Sequence, residues 1–528
     1  MAVALKSVLV SDAVDARCVD LLAEHGVHVT CRYRLPVPEL IAELKNHDGL
    51  IVRSDTKVTA EVLAGAPNLR IVGRAGTGVD NIDIEAATRK GVIVLNTPGG
   101  NSISACELTC SLIMSLARNV APACQSLKEG RWDRKLYTGC ELYGKTLAVL
   151  GLGRIGREVA SRMQAFGMKT VGFDPMVTAE GAASFGVQKM ELDEIWPVAD
   201  FITIHTPLIP QTRNLINDAV FNKCKRGVRI INCARGGIVD EAALLQALND
   251  GRCGGAGLDV FIEEPPRSEP TLSLIRHPAV VATPHLGAST QEAQQRVAVE
   301  IAEQFLALAT NVPPQVRSEF TVTGVVNAPV LAATMNQGNV PWISLAKELG
   351  KLSARMIQGA VPKTTIQVVT TGEGMENMKF LTTSVLAGML AGHTSNGLNL
   401  INAPTLAKEA GISVALTHNG GDLRTVRVTT VHPQAGTHSV IGTVKADDLP
   451  YLLAIDDARF EQGVLVGSHL ALFQGQDTQV NLGTVVSALI QSGAIITSVA
   501  TAVGKNAWFA VHTAQDVPVI SIPGVVAV

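Results

Sequence analysis

Charge is scarce in this chain. Only 17% of its 528 residues are Asp, Glu, Lys or Arg, and the net charge at pH 7 is −3. Such a balance gives no case for nucleic acid or an anionic membrane surface as a partner. Aromatics are rarer still, at 4%, so the cores must be filled by aliphatic side chains. No apolar run reaches the ~18 residues of a membrane-spanning helix. The opening MAVALKSVLVSD is interrupted too soon for a signal peptide and reads as a first strand. The nine cysteines all lie between Cys18 and Cys253 and include no CxxC pair. Cys106 and Cys110, four apart in an apolar helical pattern, read as buried thiols, and no metal site is expected. What remains is a soluble protein of a reducing compartment, expected to be cytoplasmic, whose partner is a small molecule.

Hydrophobic residues make up 47% of the chain, and there are 48 glycines. That combination suits tightly turned, alternating strands and helices, and the length predicts about three domains. The alternation is visible at once: SVLVSD (strand), ARCVDLLAEHG (helix), VHVTCRY (strand), then LPVPELIAELKN before GLIVRS and EVLAGAPN before RIVGRAG. It implies a parallel sheet covered on both faces. A long apolar helix follows NTPGGNS, over about residues 103–117. A second alternating set runs from KTLAVLGLG to AVVATPHLG, and QEAQQRVAVEIAEQFLALAT then reads as a long helix closed by NVPPQ. Beyond about Gln315 charges thin out. RSEFTVTGVVNAPVL reads as a linker, and the last stretch as strand, helix, strand, strand.

In KTLAVLGLGRIGREVASRM, Gly151, Gly153 and Gly156 form GxGxxG between an apolar strand and a helix. The first glycine permits the turn, the second the approach of a pyrophosphate, and the third close strand–helix packing. The helix start, with Arg154 and Ile155, offers free N–H groups to the phosphates. KTVGFDP supplies a second strand ending in Asp174, eighteen residues beyond Gly156. A carboxylate there accepts the ribose hydroxyls and repels a 2′-phosphate, so NAD is expected over NADP. Later strand ends carry Thr206 and Pro207 in FITIHTPL, Cys233, Ala234 and Arg235 in VRIINCARGG, and Asp259 and Glu264 in GLDVFIEEPP. His285 and Gly287 follow in ATPHLGAST. His205 reads as structural. Arg235, Glu264 and His285 beside a nicotinamide are what oxidation of a 2-hydroxy acid needs. The guanidinium holds the substrate carboxylate in two-pronged fashion, the imidazole takes the hydroxyl proton, and the carboxylate orients the imidazole and favours its charged form.

The set GLGRIG, NCARGGIVDEAAL, GLDVFIEEPP and PHLGAST resembles the D-isomer-specific 2-hydroxyacid dehydrogenases over the first ~310 residues. LIVRSDTKVT, IVGRAGTGVDNIDIEAATRKGV and VLNTPGGNSISACELT are similar to the branch that oxidises 3-phosphoglycerate at the start of serine biosynthesis. The second half resembles its long-chain form: FLTTSVLAGMLAG and NLINAPTLAKEAGI resemble its intervening domain, and LGTVVSALIQSGAIITSVATAV a terminal ACT-type domain. The resemblance implies an α/β fold in which a discontinuous flavodoxin-like substrate domain wraps around a Rossmann NAD-binding domain, followed by two small α+β domains, in a homodimer or homotetramer. It further implies that Arg53, Gly76 and Gly78 meet the substrate, that Thr77 approaches the cofactor, and that Asn101 and Ser102 form the cleft hinge. Arg74 and Arg134 are cations that could reach the phosphate, Arg134 across a subunit boundary. Two other readings stay open: a glyoxylate/hydroxypyruvate reductase, and an NAD-sensing scaffold like the corepressors that share this body.

The expected boundaries are 1–98 and 285–314 for the substrate domain, 99–284 for the Rossmann domain, 315–450 for linker and intervening domain, and 451–528 for an ACT-like domain. The segment NVPPQVRSEFTV is an addition to the family pattern. An ACT fold needs a second helix, which the two-proline tail DVPVISIPGVVAV does not provide. The uncovered sheet face is therefore expected to pack on a neighbour, with an assembly role favoured over serine sensing through QGQDTQVNLGTVV.

Overall fold

The computed structural model describes residues 3–527 apart from 360, 394–396, 468, 476–481 and 516–524. Its first sheet contains β1 (Ser7–Val10), β2 (His28–Cys31), β3 (Gly49–Val52), β4 (Ile71–Arg74) and β5 (Ile93–Leu95). They run parallel in the order β2-β1-β3-β4-β5, the flavodoxin-like order. The run GLIV of β3 is buried at every position, as a strand covered on both faces requires.

The second sheet is also parallel and takes the order β12-β11-β10-β9-β6-β7-β8. Its strands are β6 (Thr146–Leu150), β7 (Lys169–Phe173), β8 (Gln188–Lys189), β9 (Phe201–Ile204), β10 (Val228–Asn232), β11 (Cys253–Leu258) and β12 (Val280–Ala282). Strand order reverses between β6 and β9, so the crevice that binds ligands in open α/β sheets opens above the carboxyl end of β6.

Two long helices join the sheets. The Ser102–Arg118 helix leaves the first sheet and lies on β11, so close that a Cβ on Gly257 would stand 3.1 Å from Leu112 Cβ. Gly257 of CGGAGL therefore serves helix packing, whereas Gly254 faces the backbone of Gly227. The Gln291–Leu308 helix returns to the first sheet and sets Phe305 on β4, where a Cβ on Gly73 would stand 2.4 Å from the ring. Phe305 is fully buried, which contributes about 1.5–3 kcal/mol.

RSEFTVTGVVN, expected as a linker, instead lines the first sheet. Val325 bridges Leu95, Val326 N donates to Val94 O (3.0 Å), and the Asn327 side chain bonds the backbone of Val92 and Val94. Phe320, Val325, Ala328 and Leu331 join the core beneath β5. The strand edge left open at β5 offers unpaired backbone groups, and this segment satisfies them.

The third sheet, of order β14-β13-β15-β16-β17-β18, includes β13 (Thr365–Thr371), β14 (Ser413–Asn419), β15 (Thr425–His432), β16 (Gly436–Val444), β17 (Pro450–Ile455) and β18 (Ala458–Leu465). This domain was expected to end at 450. Yet β17 pairs antiparallel with β16, and β18 with β17, so the break falls after Leu465. The fourth sheet has β19 (Leu470–Gly475), β20 (Ile496–Val503), β21 (Ala507–Thr513) and β22 (Val525–Ala527), ordered β20-β21-β19-β22. The Leu482–Gln491 helix covers one face through Val485 and Leu489, against Phe473, Phe509 and Val511.

The opposite face was expected to need a neighbouring molecule. In the structure its residues Leu472, Ala502, Trp508 and Ala510 are continuous with the core of the third sheet. Lys505 N donates to Asp457 Oδ2 at 2.9 Å alongside. The chain itself covers this surface, and the packing reason for an assembly role disappears. Most of the tail and of the QGQDTQ loop lies outside the described residues.

Candidate active site

All strands of both sheets in the first half are parallel, so their carboxyl ends share the edges that face the crevice. At the end of β6, Gly151 adopts φ +94°, and a Cβ there would stand 2.6 Å from His205 O. A Cβ on Gly156 would strike Gly151 O at 2.0 Å, whereas one on Gly153 would meet open space. The first and third glycines are thus demanded by protein packing, and the space above the second is free for a ligand. The Arg154–Ala165 helix begins at Gly153 with no side-chain cap, so its first N–H groups and its positive dipole end face that space. Asp174 accepts from Leu152 N (2.9 Å) and Met176 N (2.8 Å), which fixes it at the rim of the glycine loop. The Thr206 hydroxyl is buried with no partner among the described residues, and Pro207 follows it in the same loop. An uncapped helix start, an open second glycine and an orphaned hydroxyl fit a dinucleotide.

His205 lies behind this surface. Its Nε2 stands 3.0 Å from Thr203 Oγ1, and burial pushes its pKa down to about 3, so it is a neutral structural imidazole.

At the end of β10, Asn232 shapes the turn by accepting from Ala234 N (3.0 Å) and donating to Arg235 O (2.9 Å). Cys233 is a buried thiol whose pKa burial raises to about 12, so it stays protonated. Arg235 leaves the turn toward the first sheet. Its Nε donates to Asp80 Oδ2 at 2.9 Å, and its Nη2 lies where a Cβ on Gly78 would be 1.9 Å away.

At the ends of β11 and β12, Asp259 is 1% exposed. It accepts from Thr283 Oγ1 (2.6 Å), Leu286 N (2.6 Å) and Gly287 N (2.8 Å). Its side chain thus builds the 283–287 loop. His285 N donates to the carbonyls of Asp259 (2.9 Å) and Thr283 (3.0 Å), and the residue is held at φ +55°, a left-handed conformation that non-glycine residues adopt at a cost. The imidazole Nδ1 then meets Glu264 Oε2 at 2.6 Å, while Phe261 N donates to Glu264 Oε1 at 3.0 Å. Because Nδ1 faces the carboxylate it carries the proton, leaving the Nε2 lone pair directed away from Glu264. The hydrogen bond to Glu264 raises the His285 pKa; burial opposes it, as does the nearby charge of Arg235. Burial pushes Glu264 up, but hydrogen bonds from His285 and Phe261 N outweigh it and hold its pKa below the usual range.

The first sheet supplies cations to the same cleft. Arg74 Nε donates to Arg53 O (3.3 Å), and its Nη1 lies 2.8 Å from where a Cβ on Gly76 would stand. Burial first, then Arg235 and Arg53, lowers the Arg74 pKa to about 10, so it stays charged at neutral pH. Arg53 is held through its backbone N–H, which donates to Asp12 Oδ2 at 2.6 Å. Asn81 Nδ2 donates to the carbonyls of Arg53 and Thr56, both at 2.7 Å. Asp12, Asp80, Asn81 and Asn232 were not anticipated. The acids immediately after SVLVS and GTGV, in the loops that follow β1 and β4, were the available signal for the first two.

The Thr77 hydroxyl donates to Thr97 O and Asn101 Oδ1, at the start of the Ser102–Arg118 helix, where the chain crosses between domains. Ser104 and Thr290 share a hydrogen bond (2.7 Å), and Arg296 Nε donates to Gly100 O (3.0 Å), at the two chain crossings. Arg134 is exposed in the 129–141 loop, which docks by Cys140 N on Ala117 O. That is the far end of the Ser102–Arg118 helix, about 24 Å from its start at 1.5 Å per residue. Within one chain Arg134 does not join the site.

Residues 110–287 match the NAD-binding domain of the D-isomer-specific 2-hydroxyacid dehydrogenases, and residues 340–456 match the D-3-phosphoglycerate dehydrogenase intervening domain. The chain is 49% identical over 506 residues to a D-3-phosphoglycerate dehydrogenase of Rattus norvegicus, covering 94% of this chain and 92% of that protein. A protein of the same name from Methanocaldococcus jannaschii is 38% identical, covering 93% and 91%. Among solved structures, D-lactate dehydrogenase from Aquifex aeolicus, complexed with NAD and lactic acid, superposes with a TM-score of 0.53 at 28% identity, over 60% of this chain and 99% of that one. The TT0316 protein of Thermus thermophilus does so with a TM-score of 0.53 at 33% identity, over 61% and 99%.

Proposed function

The chain belongs to the D-isomer-specific 2-hydroxyacid dehydrogenases, in the branch of the D-3-phosphoglycerate dehydrogenases, and we propose on that footing that its cleft oxidises D-3-phosphoglycerate to 3-phosphohydroxypyruvate with NAD. The observation that carries this reading is the His285–Glu264 pair with its outward Nε2, at one wall of a cleft into which Arg53, Arg74 and Arg235 converge. The substrate has a carboxylate, a phosphate and a hydroxyl between them; the cleft has cations for both anions and a base for the hydroxyl.

In this reading Arg235 binds the carboxylate over the backbone of Gly76 and Gly78, and it polarises the C2 oxygen as the carbonyl forms. Arg53 and Arg74 take the phosphate. His285 Nε2 accepts the hydroxyl proton, and Glu264 stabilises the imidazolium that results. NAD, when bound, supplies the acceptor for the C2 hydride. Gly153 and the N–H groups of Arg154 and Ile155 would hold the pyrophosphate, and Asp174 would read the ribose. Thr77, Thr206, Pro207, Cys233, Ala234, Asp259 and Gly287 line the rest. The backbone of Gly153 and the Thr206 hydroxyl are the features here that support this placement.

No helix of the described residues is long and apolar enough to cross a membrane. We place the enzyme in the cytoplasm, at the entry to serine biosynthesis. We also read it as a homodimer or homotetramer. Val120, Leu127, Trp132, Leu136 and Tyr143 are 54–79% exposed along one segment, an apolar surface that a second copy would cover. Arg134 lies in the same segment and would reach a cleft only in that partner.

The test is steady-state turnover of 3-phosphoglycerate with NAD, against glycerate with NAD and hydroxypyruvate with NADH. The expected result is a kcat/KM for 3-phosphoglycerate at least tenfold above that for glycerate. Equal values would favour the glyoxylate/hydroxypyruvate reductase, and tight NADH binding with no turnover the corepressor-like scaffold.

A further inference from the structure

Arg235 leaves the second sheet but finds its charge partner on the first. Among the described residues, Arg235–Asp80 is the single ion pair that joins residues of the first sheet to residues of the second. We infer that Asp80 is a positioning residue for the reaction: its carboxylate reaches across the cleft, holds Arg235 by Nε, and aims the outer edge of the guanidinium at the substrate carboxylate. This rests on the reading of the cleft as a 2-hydroxyacid site.

The geometry divides the guanidinium into an anchored side and a free side. Nε is bound to Asp80 at 2.9 Å, and Nη1 donates to Ala234 O at 2.6 Å. The N–H groups left over are one on Nη1 and both on Nη2. The second Nη2 N–H lies beside Nε on the Asp80 side; the outer edge, between Nη1 and Nη2, is the one a carboxylate engages with two parallel hydrogen bonds. Nη2 rests over Gly78, where no side chain fits.

Asp80 is itself well placed to direct this edge. Its neighbour Asn81 is tied to Arg53 O and Thr56 O, Val58 N donates to Asn81 O (2.8 Å), and Asp83 caps the Ile84–Lys90 helix through Ala86 N (2.9 Å). The loop is therefore fixed on one side of Asp80, and Thr77 fixes it on the other. The charge of Asp80 also offsets the mutual repulsion of Arg74 and Arg235. Without it, Arg235 would turn out toward water, since its side chain is already 31% exposed. A pair this open to solvent contributes little to folding, so its effect is expected on substrate geometry and not on stability.

The experiment compares Asp80→Asn, Arg235→Lys and the double variant in the full-length enzyme. Asp80→Asn should raise KM for 3-phosphoglycerate about tenfold or more, the scale of a charged hydrogen bond, with kcat changed less than threefold. KM for NAD and the unfolding midpoint should not move. In the Arg235→Lys background the same change should cost less than about twofold, because the fork that Asp80 orients is gone. A change under twofold in the otherwise wild-type enzyme, or effects that simply multiply in the double variant, would overturn the assignment. Should the wild type not oxidise 3-phosphoglycerate, the reading of the substrate fails separately. The three variants are then compared on whichever 2-oxo acid is reduced, since each carries the same carboxylate.

Discussion

His285 Nδ1 and Glu264 Oε2 stand 2.6 Å apart, although the imidazole sits on the loop after β12 and the carboxylate on the loop after β11. The pair decides the protonation state in which the cleft works. Its hydrogen bond holds the His285 pKa above the ordinary value and that of Glu264 below it. Oxidation needs the neutral imidazole, so kcat/KM for oxidation should rise with pH through the raised His285 pKa. Glu264→Gln removes the charge that favours imidazolium, and the rising limb should move to lower pH. In the reverse reaction, which needs imidazolium, the falling limb should move the same way. A pH series of kcat/KM in both directions checks this, and limbs that stay in place would assign the shift to another group.

His285→Ala should slow turnover by roughly 10²–10⁴, the worth of a positioned base, while NADH still binds. Asp259 and Thr283 hold the loop through other atoms, so the backbone should persist. Single-turnover kinetics with an NADH titration separate the two effects. A loss below fivefold would return His285 to a structural role.

Asp174→Ala should cut the preference for NAD over NADP by about tenfold or more, the scale of a hydrogen bond to a charged group. Two of the carboxylate's acceptor sites are taken by Leu152 N and Met176 N, one on each oxygen, which leaves each oxygen a further site for a ribose hydroxyl. The ratio of kcat/KM values for the two cofactors is the measurement. An unchanged ratio would mean that another residue reads the ribose.

Truncation should be sensitive to where it falls. A chain ending at Pro314 loses Phe320, Val325, Ala328 and Leu331 from the first core, whereas one ending at Met335 keeps them. The shorter chain should unfold at least about 5 °C lower. The longer one should retain NAD-linked turnover. Thermal unfolding of the two, side by side, gives the answer; equal midpoints would mean that the 315–331 segment adds nothing to the first sheet.

What the sequence determined by itself was local. A strand, a glycine turn and a helix start are each set within a few residues, so GLGRIG, Asp174 and the placement of Arg235, Glu264 and His285 at strand ends could be read directly. The alternation of short apolar runs with helices likewise specified two parallel sheets. Tertiary structure decided what depends on distant partners. Nothing near Asp80 in the chain indicates Arg235, 155 positions away. Whether RSEFTVTGVVN is a linker or an edge segment depends on the open side of β5, and β17 and β18 look like strands of either neighbouring sheet until backbone hydrogen bonds assign them. The bare face of the fourth sheet is closed by Leu472, Trp508 and Ala510 against the third because burying apolar surface is non-directional. A sequence states that such a face must be covered; only the packed chain decides by what.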